Sequence, residues 1–283
     1  MIILVVGYNR PHYYEKCIEA IQANNTRHQI LVSVDGGDPE AQQAYKDLTP
    51  QGYSFIAHPE RLGIAHHLFE MRDLCFAQDR RMLMIEDDVV IGPNYINFIE
   101  NMLDWSDQFG NVGAVTGWNH CLLTKEEKFA QRNLVALKNS NWITYGMKRE
   151  CWQDIRMTIN EYLEKFIEKG NYAGRNPQAI REWAQAKWAN LDQPANADDF
   201  PRHLGFFWPP GLFQSGRFPT SQDGMMVGAF HEHGWVKVNT IVNRCLYIGE
   251  VGEHGNRQGF ANARFGEMTL ENYKEDGEFE VVA

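Results

Sequence analysis

The first 116 residues alternate between apolar runs and helical stretches, and no other feature constrains the fold as much. Ile2–Val6, Ile30–Val34, Tyr53–Ala57, Met82–Ile85 and Val112–Thr116 read as five strands. The first of them is continuously apolar, as a strand covered on both faces must be. Between them lie Tyr14–Ala23, Glu40–Leu48, His66–Gln78 and Tyr95–Trp105. In the first of these helices Cys17, Ile18 and Ile21 form one apolar stripe. Strand, helix and strand repeated four times imply right-handed crossovers and a mainly parallel sheet. Ligands of such sheets bind beyond the carboxyl ends of the strands. Asn9 and Arg10, Asp35, and the triplet Glu86-Asp87-Asp88 all fall at those ends, so the topology predicts that they converge.

The triplet carries the chemistry of that convergence. Three carboxylates at one strand terminus repel and raise each other's proton affinity. A divalent cation relieves the repulsion, and carboxylate oxygens are ligands that Mg²⁺ and Mn²⁺ accept. A solvated acidic turn is the alternative.

Composition narrows the choice of partner. A net charge of −10 leaves no basic field for duplex nucleic acid or anionic lipid. Cys17, Cys75, Cys121, Cys151 and Cys245 are odd in number and never spaced as CxxC. That argues against a disulfide framework or a zinc ribbon and for a reducing compartment. The N-terminal apolar run lacks a basic flank and is too short for a signal or a membrane span. The expectation is a cytoplasmic protein.

The second half reads differently. Ile155–Lys169 and Pro177–Leu191 are helical in pattern, and 193–221 is rich in Pro, Gly and aromatic residues, of the kind that lines sites or packs as a lid. Asp223–His233 reads as a helix, Trp235–Val238 and Ile241–Ile248 as strands, and Thr269–Ala283 as an acidic periphery. Gly249 to Gly259 holds four glycines, His254 and Arg257, a composition suited to a loop closing over phosphates. His231 and His233, and the pair His66-His67, suggest zinc only weakly, since residues two apart do not share a helix face and no third ligand has diagnostic spacing.

Together these motifs resemble the N-acetylglucosaminyltransferase I family of nucleotide-sugar glycosyltransferases. The resemblance rests on Asn9-Arg10, Val32 to Gly36 with Asp35, Glu86 to Pro93, Val115 to Asn119, and Asn243 to Gly255, in that order. It spans 1–119 and 223–260 and leaves 121–222 unmatched. It implies a GT-A (Rossmann-like) α/β fold, a mainly parallel sheet flanked by helices with a helical and irregular insertion on the acceptor side. Residues 1–119 would form the nucleotide-sugar-binding half and 120–283 the acceptor-binding and catalytic half of one fused domain.

The implied activity is a metal-dependent, inverting transfer of a sugar, N-acetylglucosamine first among candidates, from a UDP-sugar to a hydroxyl of a glycan or other acceptor. By the same resemblance Asp35 contacts the uracil, Arg10 the nucleotide, Asp87 the ribose or metal and Glu86 the donor sugar. Asp88 would hold Mn²⁺ or Mg²⁺, with His254 and Arg257 at the metal or diphosphate. Trp118 and Asn119, with Trp142 to Gly146, are expected to shape the sugar and acceptor pockets, core packing of the tryptophans being the alternative. Asp223 would be the base, with Asp198 and Asp199 as rivals and a plain helix cap as the alternative. A nucleotidyltransferase or a non-catalytic carbohydrate-binding protein are the competing functions. Gly7-Tyr8-Asn9-Arg10-Pro11 lacks the Gly-rich basic loop that a triphosphate needs.

Overall fold

The computed structural model describes residues 1–137, 142–188, 220–252, 256–272 and 278–282. Along the chain, β1 (Ile2–Gly7), α1 (Pro11–Ala23), β2 (Gln29–Val34), α2 (Pro39–Leu48), β3 (Ser54–Ala57), α3 (Ile64–Gln78) and β4 (Arg81–Glu86) come first. Next are β5 (Val89–Ile91), α4 (Tyr95–Ser106), β6 (Val112–Thr116), α5 (Lys125–Ala130), β7 (Leu134–Leu137), β8 (Thr144–Lys148) and α6 (Arg149–Phe166). Then α7 (Pro177–Trp188), α8 (Gln222–Glu232), β9 (Val236–Thr240), β10 (Cys245–Tyr247), α9 (Arg257–Asn262) and β11 (Glu280–Val282) complete the described elements.

The sheet is built outward from β1, whose Ile3, Leu4 and Val5 have no solvent exposure. Alternate residues feed two cores. Ile2, Leu4 and Val6 join the cluster under α3, α6 and α8, while Ile3 and Val5 join the one under α1 and α4. Each such side chain removed from water contributes about 1.5–3 kcal/mol, which is why this strand tolerates no polar residue. The strand order is β11-β7-β9-β6-β8-β4-β1-β2-β3. β3, β2, β1 and β4 run parallel, so the expected α/β class with its mainly parallel sheet is what forms.

The order reverses at β1. The chain moves outward from β1 to β2 and β3, then returns through α3 to place β4 on the other flank. That reversal opens the crevice in which such sheets bind ligands.

The second half departs from the sequence expectation. β8 was not read as a strand, yet it lies antiparallel between β4 and β6, pairing Ile85 with Thr144 and Val115 with Gly146. The residues 142–146, expected to shape a pocket, are therefore mostly core: Trp142 and Tyr145 are buried and meet edge to face at 4.9 Å. The C-terminal stretch is more than periphery. β11 adds to β7 in parallel, and Phe279 packs on Phe98 and Trp105. The aromatic segment 193–219 lies outside the described residues.

Gly113 shows how tightly α6 seats on the sheet. The register of β6 against β9 slips at this residue, and a Cβ there would lie 2.4 Å from Cys151 Sγ. Gly113→Ala is expected to lower the unfolding free energy by about 1–3 kcal/mol, the usual cost of overpacking, measured by denaturant titration. An unchanged midpoint and slope would contradict this packing.

Candidate functional site

A cleft of about 300 Å³ opens at the switch point, lined by the ends of β1 and β4, the turn after β2, the start of α3 and the first turn of α8. It brings together Arg10, Asp35, Glu86, Asp87, Asp88 and Asp223 from the sequence-derived set.

Two of the three carboxylates are buried rather than solvated, and Glu86 is half-buried. Asp87 and Asp88 are each 1% exposed. Arg10 donates from one terminal nitrogen to Asp88 Oδ2 and from the other to Asp87 Oδ1, both at 2.6 Å. Tyr45 of α2 gives its hydroxyl to Asp87 Oδ2. Burial pushes the Asp87 carboxyl up to about 6, with Arg10 opposing and Asp88 adding to the rise. Burial likewise raises Asp88, and Arg10 again opposes. Glu86, at the very end of β4, stands well above the carboxylate range because of burial first and then Asp88 and Asp223. Burial works against the Arg10 charge, but Asp87 and Asp88 outweigh it and hold the guanidinium above its ordinary value.

One atom of the triplet is left over. Asp88 Oδ1 is buried with no hydrogen-bond partner, an unfavourable state for a carboxylate oxygen. A hard cation fits the donor set. Among the described residues no three His, Cys, Asp or Glu side chains hold a metal by themselves. A metal here would thus take one or two carboxylate oxygens and fill its remaining positions from phosphates and water, as Mg²⁺ does.

The loop after β10 closes on this point. The Ile248 amide donates to the Asp88 carbonyl at 2.8 Å and the Val251 amide to Tyr13 Oη at 3.2 Å. Gly249 passes so near that a Cβ would lie 2.3 Å from Asp88 Oδ2. His254 lies outside the described residues. Arg257 is exposed on the first turn of α9 and does not line the cleft.

Asp35 is held differently. Its Oδ1 accepts from the amides of Gly36 at 2.8 Å and Leu62 at 2.7 Å, and its Oδ2 from Gly63 at 2.9 Å. The side chain therefore ties the turn after β2 to the turn before α3. With three of about four acceptor positions filled, it has room for one more donor.

Asp223 sits in the first turn of α8, but Ser221 is the N-cap, accepting from the Gly224 amide at 3.2 Å. Capping therefore does not occupy the Asp223 carboxylate, which lines the cleft. Burial raises its proton affinity, and Arg72 and Lys237 act against that rise. Asp198 and Asp199 lie outside the described residues. Trp118 and Asn119 do not line the cleft. Trp118 is 1% exposed and packs against Phe265, and Asn119 donates to the Ile241 carbonyl.

Several lining residues carry no motif. Tyr247 flanks Asp88, Arg61 stacks on Tyr8, and Gln222 is clamped by Tyr172, while Tyr45 reaches Asp87 from outside the lining. His67, buried in α3, shares the Ser33 hydroxyl with His58 at 2.8 and 3.2 Å. Its neighbour His66 instead meets the Ile167 carbonyl. Two adjacent histidines that diverge this way give a zinc reading no support.

Comparison with known proteins adds the following. No model of a protein family matches the chain. It is 22% identical over 209 residues to the Arabidopsis thaliana alpha-1,3-mannosyl-glycoprotein 2-beta-N-acetylglucosaminyltransferase, over 64% of this chain and 46% of that protein. The chain thus spans about half the length of the curated relative it matches. Among solved structures it is similar to Staphylococcus aureus TarS 1–349 (TM-score 0.42, 11% identity, 68% and 65% of the two chains). It is also similar to the mannosyltransferase PcManGT of Pyrobaculum calidifontis in complex with GDP-Man and Mn²⁺ (TM-score 0.38, 15% identity, 81% and 73%). Nucleotidyltransferases superpose at comparable scores, and none of these superpositions reaches 0.5. Among the described residues no helix is long and apolar enough to cross a membrane.

Burial lowers the His67 imidazole to about 3, with His58 adding to the effect, against about 6.5 in an unfolded chain. Between those values the unfolded state binds the proton more readily. The contribution is full above about pH 6.5 and is lost toward pH 3 by up to about 1.4 kcal/mol per pH unit. His67→Asn should flatten the fall in unfolding free energy between pH 6.5 and 4. A parent and variant separated by a constant amount across that range would contradict the assignment.

Proposed function

We propose that the chain is a metal-dependent, inverting glycosyltransferase of the GT-A type. Its donor is a UDP-sugar, with N-acetylglucosamine the first sugar to test, and its acceptor is a hydroxyl of a glycan or another molecule. One observation carries the reading: the switch-point cleft joins a buried, half-satisfied carboxylate, Asp88, to a second carboxylate, Asp223, that α8 presents without using it as a cap. The name of the Arabidopsis relative supports the transferred sugar.

The charge balance of the cleft supports the metal. Glu86, Asp87, Asp88 and Asp223 face it, while Arg10 is already committed to Asp87 and Asp88. A diphosphate entering this field would be repelled. Mn²⁺ or Mg²⁺ bound through Asp88 Oδ1 would supply Lewis-acid neutralisation of the leaving diphosphate.

The remaining work falls to the chain's own residues. Asp35 offers its last acceptor position to the base imide N–H, which uracil has and cytosine lacks. Arg10 holds Asp87 and Asp88 in place beside the ribose and phosphates. Glu86, whose proton affinity is raised by burial and by Asp88 and Asp223, faces the cleft where the sugar hydroxyls would lie. Asp223 takes the proton of the acceptor hydroxyl as that oxygen attacks the anomeric carbon from the face opposite the diphosphate. The described start of the loop, Gly249 to Gly252, stands against Asp88 and Arg10, where it would shield the metal end from water.

With Mn²⁺, donor and acceptor, the protein should release UDP. Asp223→Asn should lower kcat/KM by roughly 10²–10⁴ and leave UDP–Mn²⁺ binding intact, whereas Asp88→Ala should weaken that binding at least about tenfold, or about 1.4 kcal/mol. Turnover unchanged in both variants would overturn these roles. Pyrophosphate release from a nucleoside triphosphate would identify a nucleotidyltransferase instead.

A further inference from the structure

Arg72 points from α3 into the apolar core and is 1% exposed. A guanidinium has five N–H donors, and burying one is costly unless its charge is answered. The answers here are sparse. One terminal nitrogen donates to Tyr145 Oη, the other lies 3.9 Å from Met226 Sδ, and Nε has no hydrogen-bond partner. No carboxylate forms an ion pair with it among the described residues. The guanidinium carbon lies instead 4.7 Å from the ring centre of Phe69, 5.5 Å from Tyr145 and 5.7 Å from Trp152. Aromatic faces compensate a cation only in part.

Its placement explains the exception. Met226 follows Asp223 by three residues on α8, and residues so spaced share a helix face. The guanidinium therefore sits beneath the turn that presents Asp223 to the cleft. Lys237 of β9, fully buried with its Nζ 4.6 Å from the Trp142 ring centre, lies on the same side. The titratable groups facing Asp223 are Glu86 of β4, Tyr145 of β8, Tyr162 of α6, Tyr172, Arg72 and Lys237. Among the described residues only the last two are cations, and Arg72 acts on Asp223 more strongly than Lys237 does.

We propose that Arg72 is a positioning residue for Asp223: its buried guanidinium, set under the first turn of α8, is the counter-charge that keeps this carboxylate ionised and turned into the cleft. Its catalytic consequence rests on reading Asp223 as the base. The electrostatic coupling itself does not. In a desolvated site a carboxylate without a cation takes up a proton, and a protonated Asp223 accepts none from an acceptor.

The test is an NMR titration of the full-length protein, labelled with ¹³C at aspartate carboxyls, with the Asp223 resonance assigned by Asp223→Asn. In Arg72→Met the Asp223 midpoint should rise by roughly one pH unit or more, and in Arg72→Lys it should return most of the way. An unmoved midpoint in folded Arg72→Met would overturn the proposal, because a purely packing role leaves the titration alone. A second readout leaves the Arg72 guanidinium in place. In the parent, the Arg72 Nε–H resonance, assigned with Arg72→Lys, should shift with the Asp223 midpoint and stay flat in Asp223→Asn. A resonance flat through the parent titration would equally overturn it. Failure of the base assignment would appear separately, as transfer retained in Asp223→Asn.

Discussion

The structure depends on how three adjacent carboxylates are tolerated at the end of a buried strand. β4 is central and apolar, so Glu86, Asp87 and Asp88 leave the sheet where water is scarce. Desolvation of this kind drives carboxylates toward protonation. Arg10 resists it by dividing its guanidinium between Asp87 and Asp88, and Tyr45 adds a hydroxyl. The balance is incomplete, since one Asp88 oxygen stays unpaired in the core of the site. Natural sites retain such strain where a ligand completes them.

The fold supplies this arrangement through a single reversal of strand order. Because β4 pairs on the flank of β1 opposite β2, the loop after β1 delivers Arg10 directly to the triplet. The turn after β2, fixed by Asp35, forms the adjoining wall. α8 then enters from the second half with Ser221 as its cap, which leaves Asp223 facing the acidic cluster. Beneath it Arg72 and Lys237 carry two buried positive charges. Charge alternates through the site, with cations near Asp223, carboxylates across the cleft and Arg10 paired with two of them.

Much of this could be read from the sequence, for physical reasons. Parallel strands buried on both faces must be continuous apolar runs, so β1, β2, β4 and β6 stood out, and their carboxyl ends located Arg10, Asp35 and the triplet. β8 did not stand out. It has only five residues, Gly146 and Lys148 among them, and its role comes from pairing two partners rather than from its own pattern. Trp118 and Asn119 followed a motif, yet Trp118 fills core against Phe265 and Asn119 meets the Ile241 carbonyl. Tyr45, His67 and Arg72 were silent because each sits inside a helix whose pattern reports only burial. Whether Asp223 caps its helix is likewise undecidable from Ser221-Gln222-Asp223 alone, since both Ser and Asp are good caps.

The account turns on Asp88 Oδ1 as the anchor of a divalent cation shared with a diphosphate. The direct measurement is anomalous diffraction from a crystal of the protein grown with UDP and Mn²⁺. The account predicts a manganese peak at coordination distance from Asp88 Oδ1 and from the diphosphate oxygens, with the Arg10 guanidinium still beside Asp87. UDP bound in the cleft with no manganese peak at Asp88, or with manganese held elsewhere, would contradict it.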